Sequence, residues 1–235
     1  MKPISIKYSR NTHTEHAYSR IVSTLFTLKE RNGMNSYVFT GCESGVGNTT
    51  IALSIAAELA DSGKKTLLVD CDFLKQVTDK RLFQYVDKGL SDYLLRDASL
   101  EEIVYGTELP LLNYISSGDD LTNPTMLLWS DNFGSFIDRV KQDFEFVIFD
   151  TAPLVMAPEV GVLAYLASGT ILTVQFGKSR KSQIFASTKV LENMGANFLG
   201  VIVNKTPKSD FRIYQKSHGF SMVLKSRQES RDNSQ

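Results

Sequence analysis

A chain of 235 residues with 42% hydrophobic content has room for one α/β domain or two small ones and enough apolar material for a substantial core. Lys+Arg and Asp+Glu balance at 26 each, so the whole-chain charge gives no case for a polyanion, and nucleic acid is not an expected partner. Two cysteines, Cys42 and Cys71, are too few for a secreted disulfide scaffold and point to a reducing compartment.

The first residues, MKPISIKYSR, are basic but lack the apolar core of a secretory signal. Residues 1–35 read as a leading helix and linker: a polar start, a helical pattern from about Thr14 to Glu30, then the turn-like RNGMNS. From residue 36 short apolar runs recur, rich in β-branched and aromatic residues. They are SYVFTG at 36–41, KTLLVD at 65–70, LLNYIS at 111–116, FEFVIFD at 144–150, TILTVQF at 170–176 and NFLGVIVN at 197–204, each read as a buried strand. Between them lie helical patterns over Thr49 to Asp61, Asp131 to Lys141 and Ser182 to Met194, the first with Ile51, Ala52, Ile55 and Leu59 on one face. The longest apolar stretch, Val160 to Val174, is interrupted by Ser168, Gly169 and Thr170. That break suits a helix ending and a strand starting, not a membrane span. The alternation predicts an α/β fold over 36–208, a mostly parallel sheet with helices on both faces. Residues 209–235, rich in Ser, Lys, Arg and Gln and ending RQESRDNSQ, lack the apolar content to pack and are expected to form a flexible tail.

The first strand runs into GCESGVGNTT and then a helix, the context in which a glycine loop cradles phosphate. Gly45 and Gly47 allow a tight turn, so the backbone N–H groups of Gly45, Val46, Gly47, Asn48, Thr49 and Thr50, with the helix N-terminus, can face an anion. Against the pattern G-x-x-x-x-G-K-[ST], Cys42 replaces the first glycine and Asn48 the lysine. Two further strands end in acids: Asp70 and Asp72 in VDCDF, and Asp150 in FDTAP. Strand C-terminal ends are where an open parallel sheet binds its ligand, and carboxylates beside a glycine loop suit Mg²⁺.

The run from about Glu15 to Thr206 resembles the cytoplasmic domain of the bacterial tyrosine kinases, the BY-kinase or CpsD/CapB/Wzc family, a branch of the MinD/ParA-like P-loop proteins. CESGVGNTT resembles its Walker A loop, LLVDCDFLK its Walker A′, and FVIFDTAP its Walker B. GLSDYLLRDASLEEIV, SSGDDLTNPTMLL and FLGVIVNKT are also similar to family segments. The resemblance implies ATP or ADP with Mg²⁺ as cofactors. It gives Thr49 and Asp72 roles as Mg²⁺ ligands, Asp150 a role holding the metal through water, Asp70 (with Asp72) a catalytic role toward the attacking hydroxyl, and Asn204 the reading of adenine. It further implies a membrane polysaccharide co-polymerase as partner, with control of chain length or export of capsule or exopolysaccharide, and a cytoplasmic place at the inner face of the membrane through that partner.

Several positions depart from the family pattern. Asn48 lacks the ammonium that neutralises charge on a transferred phosphoryl group, a loss worth on the order of 100-fold or more in rate; nucleotide binding is therefore expected to be weak or lost. Glu43 stands where a large P-loop subgroup has a second, signature lysine. The Walker A′ arginine position holds Leu74, followed by Lys75, and only Tyr214 follows the last strand. The ring-forming motif keeps Glu15, but its arginines are Tyr18 and Ile21, with Arg20 nearby, so self-association stays open. The favoured expectation is a degenerate kinase-like regulator of polysaccharide assembly. The alternatives are an active ATP-dependent tyrosine autokinase that borrows a cation from Lys75, Lys178 or Arg180, and a MinD-like positioning ATPase. The latter is disfavoured because no amphipathic targeting tail is seen. His13, His16 and His218 lie outside the α/β core; Lys178, Arg180 and Lys181 read as a solvated turn; Met126 to Trp129 are expected to pack on the sheet.

Overall fold

The computed structural model describes residues 3–5, 12–73, 86–118, 124–157 and 159–207. The chain runs α1 (Thr12–Asn32), β1 (Ser36–Gly41), α2 (Asn48–Asp61), β2 (Thr66–Cys71), α3 (Leu90–Leu95), α4 (Leu100–Ile103), β3 (Tyr105–Gly106), β4 (Leu112–Ile115), α5 (Pro124–Leu128), α6 (Asp131–Asp143), β5 (Phe146–Thr151), α7 (Val160–Leu166), β6 (Gly169–Gln175), α8 (Lys181–Asn193) and β7 (Phe198–Asn204). All six apolar runs read as strands are strands, and the three helical patterns between them are α2, α6 and α8. The break inside Val160 to Val174 is where α7 stops and β6 starts.

One seven-stranded sheet has the order β3-β4-β2-β5-β1-β6-β7. Every pairing is parallel except β3 with β4. The central strands are buried along their whole length, which explains why they read as continuous apolar runs and not as alternating ones. The period of two survives in which face each residue serves. Tyr37, Phe39, Leu68, Phe146 and Ile148 pack with α2 and with Val22 and Leu25 of α1. Val38, Leu67, Val69, Val147 and Phe149 pack on the other face with Phe133, Phe136, Ile137 and Val140 of α6, with α7, and with Leu191 of α8. Helix α2 is buried almost all round, from Ile51 to Ala57 without a break, because it lies between the sheet and α1. A fully buried helix needs no amphipathic stripe.

The expectation for Met126 to Trp129 requires correction. Leu128 is buried and Leu127 packs against the core, but Met126 and Trp129 are 71% and 67% exposed. Helix α5 has only five residues, and so short a helix can turn only part of its apolar run toward the sheet. Among the described residues no helix is long and apolar enough to cross a membrane. The segment from residue 209, Leu74, Lys75 and Tyr214 lie outside the described residues.

Candidate nucleotide site

The strand order places β1 between β5 and β6, and β5 beside β2, so the loop after β1 and the acids ending β2 and β5 meet at one edge. In the β2–β5 register Asp70 stands directly opposite Asp150, and the two are 1% and 2% exposed. Asp72 follows, half-buried, its amide donating to Asp70 Oδ1 at 2.9 Å. The three predicted acids are therefore brought together below the glycine loop. Among the described residues no group of three or more His, Cys, Asp or Glu side chains forms a metal cage. A Mg²⁺ ion here would depend on few carboxylates plus hydroxyl, phosphate and water oxygens, which is its usual habit.

Residues 42–47 turn from β1 into α2. Gly45 and Gly47 take φ values of 76° and 90°, a left-handed region that side chains rarely adopt. At Gly47 a Cβ would also collide with the Asn204 side chain. Thr49 and Thr50 lie in the first turn of α2, partly buried and exposed respectively.

Asn48, the first residue of α2, points inward and is 9% exposed. Its Nδ2 donates to the Phe39 carbonyl at 2.7 Å and to Asp150 Oδ1 at 2.8 Å, with the Thr151 carbonyl at 3.4 Å. Its Oδ1 accepts from Thr173 Oγ1 at 2.8 Å. One carboxamide thus joins β1, β5 and β6 just beneath the loop. The short side chain reaches these partners because it is at the helix start, facing the strand ends; a lysine's longer stem would carry its charge past them.

Glu43 is held by Ser179, whose Oγ donates to Oε1 at 2.8 Å and accepts from the Gln175 amide at 2.9 Å and the Cys42 thiol at 3.3 Å. Burial pushes the Cys42 thiol up; the Ser179 hydrogen bond opposes this and the Glu43 carboxylate adds to it. Burial, then the charges of Asp70, Asp150 and Asp72, push Cys71 well above the ordinary thiol range. Both thiols are free and buried, and, held protonated, they are poor nucleophiles and poor metal ligands.

Asn204, at the end of β7, donates from Nδ2 to the Val46 carbonyl at 2.8 Å. Lys205 donates from Nζ to the Gly45 carbonyl at 2.7 Å and to Gln175 Oε1 at 3.1 Å. Lys178 and Arg180, the described residues considered as borrowed cations, are exposed, and Arg180 caps α8. Among the described residues, the lysine hydrogen-bonded to the loop is instead Lys205. Sequence reasoning missed it, along with Thr173, Gln175 and Ser179; the one available signal was its adjacency to Asn204.

The family model described as "AAA domain" matches residues 37–180. The chain is 31% identical over 209 residues to "Tyrosine-protein kinase CpsD" of Streptococcus agalactiae serotype Ia, covering 88% of each chain. It is 30% identical over 171 residues to "Tyrosine-protein kinase YwqD" of Bacillus subtilis, covering 73% of this chain and 72% of that one. Among solved structures, the chimerical protein CapA2B2 superposes with a TM-score of 0.78 at 26% identity, covering 87% of this chain and 94% of the other.

Proposed function

The chain belongs to the bacterial tyrosine-kinase family of P-loop proteins, and from that premise we propose that it is a member with degenerate phosphoryl-transfer machinery. In this reading it regulates capsule or exopolysaccharide assembly from the cytoplasmic side of the membrane, by contact with a membrane co-polymerase. The observation that carries the reading is Asn48: no ammonium stands at the loop's lysine position, and the carboxamide there is engaged with Phe39, Asp150 and Thr173. Preorganised positive charge on the transferred phosphoryl group is a large part of what such sites contribute, so its loss lowers turnover by about 100-fold or more. Glu43 adds a negative side chain to the same loop.

The site keeps the means to hold a nucleotide weakly. The backbone from Gly45 through Thr50 would take the phosphates, and Thr49, Asp72 and Asp150 would hold Mg²⁺ by oxygen. The deciding experiment is incubation of the purified chain with Mg-ATP, with immunoblotting for phosphotyrosine. The expected result is no accumulation, with or without Asp70→Asn. Phosphotyrosine that forms in the natural protein and vanishes with Asp70→Asn would replace this reading with that of an active autokinase, which the persistence of Asp70 and Asp150 as adjacent buried acids favours.

A further inference from the structure

We propose that Lys205, together with Asn204, is the positioning residue of the glycine loop: it holds the loop in its anion-accepting form and strengthens its donors toward the phosphate chain of a nucleotide. This rests on the nucleotide reading above for its ligand, but not for its effect on the loop.

The two side chains take consecutive carbonyls, Lys205 that of Gly45 and Asn204 that of Val46. No peptide bond here is cis, and in a trans peptide unit the C=O and N–H point in opposite directions. The N–H sharing a peptide unit with the Gly45 carbonyl is that of Val46; the one sharing with the Val46 carbonyl is that of Gly47. Drawing both oxygens toward β7 therefore turns both N–H groups away from it, toward the loop interior. No described residue accepts a hydrogen bond from either amide. An ammonium on the oxygen end of a peptide also polarises it, making its N–H a better donor to an anion. The missing lysine would have placed positive charge in front of the loop; Lys205 places it behind.

The chain bears strain to make this contact. Lys205 has φ 58°, a left-handed conformation uncommon outside glycine and informative where it occurs. Asn204 Oδ1 accepts from the Lys205 amide at 2.8 Å, fixing the turn that sends the side chain back across the strand ends. Gln175 supplies the ammonium's second acceptor. The end of β7 and the residue after it thus fasten a glycine loop that, with two glycines at positive φ, has much conformational freedom to lose.

The test compares the natural protein with Lys205→Met, which keeps the apolar stem and removes the charge, and Lys205→Arg, which keeps a donor. Lys205 is exposed, so both variants are expected to fold. The N–H order parameters of Val46 and Gly47, measured by NMR relaxation without ligand, are expected to fall from the rigid range of about 0.85 to below about 0.6 in Lys205→Met and to stay near natural in Lys205→Arg, with the central strands unchanged in all three. Equal loop order parameters in the natural protein and Lys205→Met would overturn the proposal. Calorimetric titration with Mg-ADP then separates the two readings. Binding by the natural protein that weakens about tenfold in Lys205→Met supports both. Absence of binding to the natural protein removes the nucleotide reading, and the ligand-free order parameters alone decide the role of Lys205.

Discussion

At Asn48 a single substitution relative to the P-loop pattern changes what the residue is for. A lysine there would address the ligand; the carboxamide addresses the protein, closing a buried network among strands β1, β5 and β6. Asn48→Ala should cost about 2–4 kcal/mol in chemical denaturation, because it leaves a carboxylate oxygen, a carbonyl and a hydroxyl short of a buried partner. Asn48→Lys should separate stability from binding. It loses the stitch and melts at a lower temperature, while calorimetry with Mg-ADP shows affinity rising by about tenfold or more as a charge-assisted phosphate contact is restored. Unchanged affinity in Asn48→Lys would show that the loop cannot use the charge. The identity of Asn48 was legible in the sequence. Its inward turn was not, because Asp150 and Thr173 lie 102 and 125 positions away and only the strand order makes them neighbours. Lys205 was hidden in the same way, since its loop contact spans 160 positions.

At the scale of elements, legibility followed length and burial. The buried strands could be read because both faces are covered and every residue in them is free to be apolar. Strand β3 could not, since it is two residues long and pairs antiparallel at the sheet edge. Helices α3, α4 and α5, of six, four and five residues, are too short to display a period of 3.6. The site acids were legible because a carboxylate at the end of an apolar strand has a known place in a parallel sheet. Helix α6 begins where Ser130 caps it, its hydroxyl accepting from the Phe133 amide at 3.4 Å. Ser130→Ala should therefore destabilise the protein by about 1 kcal/mol in denaturant titration, while Ser130→Asp, which can cap as well, should be near neutral.

For the whole molecule, the distribution of buried titrating groups sets the pH range over which the fold persists. Burial pushes the Tyr37 phenol above the ordinary tyrosine range, where it donates to the Met34 carbonyl at 2.8 Å. Burial also pushes up Cys71, beside three carboxylates that further disfavour a thiolate. In each case the fold prefers the neutral form. The stabilisation is fully present below the pH at which the unfolded groups ionise and is lost as pH rises through the raised folded values. Denaturation midpoints should therefore fall from about pH 9 upward, as the unfolded thiol and then the unfolded phenol ionise, and Cys71→Ala should flatten the early part of that fall by removing one contributing group.

The strand order also governs how this protein can be made. Strand β1 precedes its sheet neighbours by a long stretch of chain: they are β5, through pairs such as Ser36 with Val147, and β6, through pairs such as Tyr37 with Gly169. A nascent chain therefore carries an interior strand of the sheet, and the largely buried helix α2, with no native sheet partner for β1 until β5 (Phe146–Thr151) has been translated. Non-local parallel pairing of this kind folds slowly and keeps sticky surface available to other chains. Incorporation of β1 into the sheet consequently waits for β5, and until then β1 and α2 offer apolar surface on which a chaperone can act.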